Sequence, residues 1–251
     1  MLTIIEKWSY YSRRYGATSA ALRYIGRCWP RVWPLIGKAV TSGYLRRWRR
    51  HPDAKVLNLG GGGNLRQEWL TADVDPRADV FVDCRRVLPL ADGTVDAVML
   101  EEVIEHLDYP EGVQLLRECN RILKDLGTLR ISTPDFSYFA RQATTRKSYN
   151  RNAALDSEEF ADREARRLLR SAEAPFGIKR MALINSIFFL HGHRFVHDAE
   201  SLEELLRLAG FEWRRSGYRD IDSKLGRMDT HADRFRHPPE ISLYYDAWKR
   251  G

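Results

Sequence analysis

The nine residues Lys55–Gly63, KVLNLGGGG, constrain this chain more than any other segment. Val56, Leu57 and Leu59 form an apolar run suited to a strand buried on both faces. Gly60, Gly61, Gly62 and Gly63 then remove every side chain where the backbone has to turn, opening positive φ and letting a ligand lie against main-chain N–H groups. Acidic residues follow at Asp73, Asp75 and Asp83. A strand running into glycines, followed by a strand that ends in a carboxylate, is how a doubly wound sheet holds a nucleoside.

The rest of the chain alternates strand and helix signals, which argues for an α/β fold with a mostly parallel sheet. Strands are predicted at 55–60, 70–74, 80–82, 95–100 and 128–132, with two closing strands at 211–218 and 241–248. Residues 64–69 are too short for the usual crossover helix and read as a loop. Val113, Leu116, Cys119, Leu123 and Leu126 at helical spacing predict a helix over 110–126 that stops at Gly127. Residues 136–190 read as helical and heavily charged, a lid inserted before the final strands. Residues 201–209 read as a helix, with Ser201 as N-cap and Glu204 completing a capping box.

Charge divides the chain in two. Residues 1–52 hold eleven Lys/Arg against the single acid Glu6, and the remaining residues hold thirty against thirty-three. That first stretch also carries Trp8, Trp29, Trp33 and Trp48, four of the seven tryptophans. It is therefore read as a basic, Trp-rich helical extension, with residues 53–251 as the body. Three uses of the extension stay open: packing on the body, peripheral contact with a membrane, or a nucleic-acid arm. The arm ranks last because no stacking module accompanies it. The cysteines, Cys28, Cys84 and Cys119, lack metal-ligand spacing and are odd in number, which suits reduced thiols in a cytoplasm. No secretory signal or apolar span of membrane length is evident.

The motifs VLNLGGGG (56–63), TADVDP (71–76), VDCRRVLPLADGTVDAVMLEEVIEHL (82–107) and LLRECNRILKDLGTLRISTPD (115–135), in that order, resemble the class I S-adenosylmethionine-dependent methyltransferases with a methyltransferase-11-like core. More loosely, HGHRFVHDAESLEELLRLAGF (191–211) resembles members found with polysaccharide and glycolipid biosynthesis. The resemblance implies a Rossmann-like, mostly parallel seven-stranded sheet with an antiparallel last strand. It implies S-adenosyl-L-methionine as cofactor and S-adenosyl-L-homocysteine as product. Gly60, Gly61 and Gly62 would pass under the methionine part, and Asp73 would take the ribose hydroxyls, with Asp75 as close competitor. Asp83, beside the Cys84 backbone, would face the adenine amino group, and Glu101 and Glu102 would line the inner wall. Asn58 stands where the family commonly has an aspartate.

For the acceptor, a hydroxyl nucleophile benefits from a general base. The candidates are His106, Asp135, His191, His193 and His197, and structural alternatives stand beside them. His106 can brace its helix, Asp135 can cap the helix beginning at Phe136, and the His191-Gly-His193-Arg194 loop can be a packed hairpin. A metal held by His191, His193 and His197 has only Asp198 as a neighbouring acid, so no metal is expected. The expected partner is a small-molecule or glycan acceptor, methylated on oxygen, with the enzyme in the cytoplasm or peripheral at the inner membrane face. A nucleic-acid methyltransferase and a non-catalytic cofactor-binding scaffold are the alternatives.

Overall fold

The computed structural model describes residues 17–28, 31–49, 55–144, 154–170 and 176–250. Its strands are β1 Val56–Leu59, β2 Leu70–Asp73, β3 Val80–Phe81, β4 Val95–Glu101, β5 Leu123–Pro134, β6 Phe211–Arg215 and β7 Ser242–Lys249. The helices of eight residues or more are α1 Ala17–Cys28, α2 Trp33–Arg49, α3 Tyr109–Ile122, α4 Phe136–Thr144, α5 Ala154–Leu169, α6 Phe176–Phe189 and α7 Ala199–Leu208; a short α8 spans His231–Phe235. All seven strands form one sheet in the order β3-β2-β1-β4-β5-β7-β6. Neighbours run parallel except at β7, which is antiparallel to both β5 and β6. This is the expected Rossmann-like class I arrangement.

The apolar runs that predicted the central strands are buried on both faces. Along β4, Val98 and Leu100 join the main core with residues of α3 and α7, whereas Ala97 and Met99 pack on the other face against Trp69, Leu225 and Met228. Alternate side chains of a strand point to opposite faces, so a sheet covered on both sides needs an unbroken apolar sequence.

Several element boundaries differ from expectation, and at two helices the cause is plain. Helix α3, started by an Asp108–Glu111 capping box, ends at Ile122 and not at Leu126. Its last carbonyls, those of Arg121 and Ile122, accept the N–H groups of Gly93 at 3.0 Å and Thr94 at 2.8 Å, and Leu123 already pairs with Val95. Residues 124–127 are then an irregularity within β5, with Leu126 in the left-handed region at φ 62°. Helix α7 is capped by Asp198, with Ser201 three positions on as its reciprocal partner; Glu204 is turned outward onto Arg207 at 2.6 Å.

Helix α2, assigned from sequence to the extension, docks on β3. Trp33 is buried with its ring edge-on to Phe81 at 6.2 Å, and Leu45 joins the main core. The Thr41 hydroxyl accepts the Phe81 N–H at 2.8 Å and donates to the Phe81 carbonyl at 3.3 Å. Arg31, Lys38 and Arg46 are exposed.

After β5, helices α4 to α6 build a second small core in which Phe139, Phe160, Leu183 and Ile187 meet Ile241. Between β6, which ends at Arg215 and not at the expected residue 218, and β7, the chain makes a long excursion over residues 216–241. Buried Arg130 of β5 fastens it: Nε and Nη2 donate to the two Asp229 oxygens at 3.0 and 2.6 Å, Nη1 to Asp246 at 3.2 Å, and Nη2 to the Gly217 carbonyl at 2.7 Å. Among the described residues no helix is long and apolar enough to cross a membrane.

Candidate active site

A cavity of about 910 Å³ opens at the carboxyl ends of β1, β2 and β4. One end is walled by the glycine loop, Asp73, Asp83 and Cys84; the other reaches Phe139, Glu164, His191 and His193 under the small helical core. Open α/β sheets bind ligands in this place because the turn from strand to following segment leaves main-chain donors free.

Gly60 and Gly62 both sit at positive φ, 71° and 55°. Gly60 donates to the Ala72 carbonyl at 2.8 Å, and a Cβ there would lie 2.4 Å from a Val103 methyl carbon. Gly62 donates to Asp73 Oδ2 at 2.7 Å, while the Asp75 N–H reaches Oδ1 at 2.9 Å. Both Asp73 oxygens thus carry backbone donors, and the carboxylate lines the cavity. Burial pushes the Asp73 carboxyl up, against the backbone hydrogen bonds that favour its charged form. Gly61 lines the same wall, above the Asn58 amide, which is buried with neither polar atom hydrogen-bonded among the described residues. A nucleoside with a flanking cationic group fits a cradle of glycines and a buried carboxylate.

Asp83 lines the cavity with its oxygens shared between Arg85 at 2.9 Å and Arg86 at 3.4 Å; the Arg85 hydrogen bond leads in holding its carboxyl down. Burial, with Asp73 and Asp83 nearby, pushes the Cys84 thiol up to about 12. Asp75 is not on the lining. Its carboxylate closes a ring onto Arg77 at 2.6 Å, so only Asp73 of the two faces the ligand space.

Glu101 and Glu102 both line the cavity, and each engages His231 of α8. Glu101 accepts the Thr230 N–H at 2.6 Å and hydroxyl at 2.7 Å, with His231 Nδ1 at 3.3 Å. Burial works to raise the Glu101 carboxyl, but the His231 and Thr230 contacts outweigh it and the net shift is downward. Glu102, at φ 56°, stands 3.6 Å from His231 Nε2. Burial opposes protonation of His231, yet the Glu102 and Glu101 charges win and its pKa is raised.

The remaining histidine candidates separate. His191 Nε2 lies 3.0 Å from Glu164 Oε2, a carboxylate of α5 that is 1% exposed. His193 Nδ1 donates to the Ile187 carbonyl, and burial, reinforced by His106 and His191, pulls its pKa to about 4. His106 stacks edge-on to His193 with centroids 5.0 Å apart. The Glu105 carbonyl accepts from the Arg194 and Phe195 N–H groups at 2.8 and 3.2 Å, which binds the His191–Arg194 loop to the segment after β4. Arg194 itself reaches out to Asp108 at 3.2 Å and Glu111 at 3.5 Å.

Asp135 is off the lining and takes its structural alternative: it accepts the Ser137 N–H at 2.8 Å at the start of α4. His197, buried and bridged to Asp135, is also away from the cavity, so His191, His193 and His197 do not converge. Four further residues line or engage the cavity without being anticipated from the sequence: Glu164, His231, and Arg234 and His237 on its wall. For the last three the signal was the length of the 216–241 segment, since long connections in compact domains usually carry function. Glu164 sits among alternating charges on a helix, and nothing in the sequence distinguishes it.

Residues 62–131 match the family model described as "Methyltransferase domain". A probable S-adenosylmethionine-dependent methyltransferase of Mycolicibacterium smegmatis is 30% identical over 168 residues, 60% of this chain and 63% of that protein. One from Mycobacterium tuberculosis is 42% identical over 60 residues, 24% of this chain and 21% of that protein. The chain therefore spans less than two thirds of the curated relatives it matches. A solved S-adenosylmethionine-dependent methyltransferase of Archaeoglobus fulgidus superimposes with a TM-score of 0.46 at 14% identity, covering 96% of this chain and 99% of that one. The strand order and the glycine–aspartate cradle agree with the matched domain, and over that domain the chain is similar to the class I S-adenosylmethionine-dependent methyltransferases.

Proposed function

We propose that the chain transfers a methyl group from S-adenosylmethionine to a hydroxyl of a sugar, glycolipid or specialised metabolite, releasing S-adenosylhomocysteine. The observation that carries this reading is one cavity holding the Gly60–Asp73 cradle at one end and the His191–Glu164 pair at the other. The cofactor would supply a methyl group already activated by its sulfonium, so the protein's task is alignment and removal of the hydroxyl proton. Asp73 accepts from the ribose hydroxyls, and the glycine loop lets the ligand approach the backbone. At the other end His191 Nε2–H donates to Glu164, which fixes the tautomer and leaves the Nδ1 lone pair to take the acceptor's proton. His193, held neutral and donating to Ile187, is the weaker base. A cavity this size is at the upper end of the range of about 300–1,000 Å³ for small-molecule sites, which suits two reactants side by side.

Peripheral membrane contact through residues 1–52 belongs to the same proposal. It is supported by exposed Arg31, Lys38 and Arg46 beside exposed Tyr24, Val32 and Leu35. Trp33 and Trp48 are turned into the fold, and Trp8 and Trp29 lie outside the described residues. Flotation with anionic liposomes checks it.

Calorimetry with S-adenosylhomocysteine tests the core of the reading. Asp73→Asn removes the charge from the hydrogen bonds to the ribose hydroxyls, a loss of about 1.5–3 kcal/mol in total, so affinity should fall roughly 10- to 150-fold. Asp75→Asn should leave it nearly unchanged. Folded wild-type protein that takes up no S-adenosylhomocysteine would overturn the assignment.

A further inference from the structure

Three side chains at the acceptor end are brought together by no step of that reaction. Glu105, His106 and His193 each present a ligand atom, and these atoms all lie within 4.8 Å of one another. All three residues line the cavity. Glu105 and His106 lie on the one-turn helix Ile104–His106 after β4, and His193 comes from the loop that the Glu105 carbonyl anchors.

What surrounds the three is the second observation. Glu105 Oε2 accepts from the Thr133 hydroxyl at 3.0 Å, leaving Oε1 4.0 Å from His106 Nε2. His193 Nδ1 donates to the Ile187 carbonyl, an atom that only accepts, so Nε2 carries the free lone pair. His106 makes a hydrogen bond with the Gly192 backbone. Glu105 and His193 thus each have one polar atom tied back to the protein and one left over, the pattern by which outer partners orient ligands toward a metal. Glu105 is 1% exposed, and among the described residues no lysine or arginine comes within 4 Å of its carboxylate.

We propose that Glu105, His106 and His193 form a binding site for a first-row divalent transition-metal ion at the acceptor end of the cavity. Two imidazoles and one carboxylate suit zinc, iron or cobalt over magnesium or calcium, which prefer all-oxygen sets. Metal–ligand bonds of about 2.0–2.2 Å place neighbouring donors roughly 3–3.5 Å apart. Closing from the observed separation takes side-chain rotations that move the donors by about an ångström. A three-ligand set leaves at least one coordination position open, and here it faces the cavity beside His191. The ligand class for that position is an oxygen donor of the acceptor, held next to the base that takes its proton. The role rests on the methyl-transfer reading; the site itself does not.

The test uses the full chain stripped of metal by chelator dialysis and titrated with Co²⁺, following its visible ligand-field absorption, then displaced with Zn²⁺. The expected result is one Co²⁺ per chain, with affinity falling at least about tenfold in His193→Ala and Glu105→Gln. His191→Asn should retain the ion, because His191 is held by Glu164. Far-UV circular dichroism accompanies each variant, and His106→Asn, whose side chain is 43% exposed, replaces any that fails to fold. Absence of Co²⁺ uptake, or uptake indifferent to all three ligand substitutions, overturns the site. S-adenosylhomocysteine calorimetry on the same metal-free samples separates the two ideas. Cofactor binding without Co²⁺ uptake overturns the metal site alone, and Co²⁺ uptake without cofactor binding overturns the methyl-transfer reading alone.

Discussion

Replacing Arg130 with methionine should be among the most damaging single changes outside the cavity. The guanidinium is 1% exposed and binds two carboxylates and a carbonyl, so its removal strands buried charge. Asp246 keeps Ser223 at 2.7 Å and Arg214 at 2.9 Å, but Asp229 keeps only the Arg219 backbone N–H at 2.8 Å and a half-exposed guanidinium near its carbonyl. Breaking a buried pair from one side costs about 3–5 kcal/mol, a large share of the roughly 5–15 kcal/mol that stabilises a native protein. At about 2–4 °C per kcal/mol for a chain of this size, the melting temperature should fall by roughly 6–20 °C. Thermal melts followed by circular dichroism at neutral pH measure it. Arg130→Met combined with Asp229→Asn removes the stranded charge and should recover at least half of the loss. A single variant melting within 2 or 3 °C of wild type (about 1 kcal/mol), or a double variant no better than the single, would refute it.

Gly60→Ala faces both a left-handed φ, costing about 1–2 kcal/mol, and a Cβ 2.4 Å from Val103, so it should melt lower than Gly93→Ala, where φ is 60° but nothing lies within 4 Å. Equal melting temperatures for the two would remove Val103 from the argument. A thiol reagent at mildly alkaline pH should modify exposed Cys28 quickly and spare Cys84, whose thiol is held near 12, and buried Cys119; two fast thiols would contradict this. Burial holds His193 and His197 near 4, below the ordinary value of about 6.5, so both stay neutral in the fold but charge on unfolding. Their contribution is fully present above about pH 6.5 and is lost as pH falls toward 4. His197→Leu should flatten the difference in urea midpoint across that window, and a slope identical to wild type would count against it.

The central sheet was legible because β1 and β4 are buried on both faces and their apolar runs are interrupted only by Asn58 and Asp96 before Glu101 ends β4. The cofactor cradle was legible because Gly60, Gly62 and Asp73 are separated by few residues and meet through backbone hydrogen bonds. The acceptor end was not. His191 and Glu164 are 27 residues apart, and Thr230 reaches Glu101 across 129. Such pairs depend on how α5 and the 216–241 excursion fold back over the sheet, which no local pattern encodes. Helix α3 was drawn too long for a related reason: its periodicity runs past Ile122, but the N–H groups of Gly93 and Thr94 claim the carbonyls that would otherwise accept further helical bonds.

The docking of α2 limits what the basic N-terminal region can do. A two-residue edge strand leaves unpaired main-chain groups facing outward, and such groups invite another strand. The single Thr41 hydroxyl occupies both the N–H and the carbonyl of Phe81, so the sheet terminates at a helix instead of an open edge. An arm that swung away to grip a membrane or a polyanion would unseal that edge and lift Trp33 and Leu45 out of the interior. A partner of α2 is therefore met by the outer face of a docked helix, which presents Lys38 and Arg46, with Arg31 just before it.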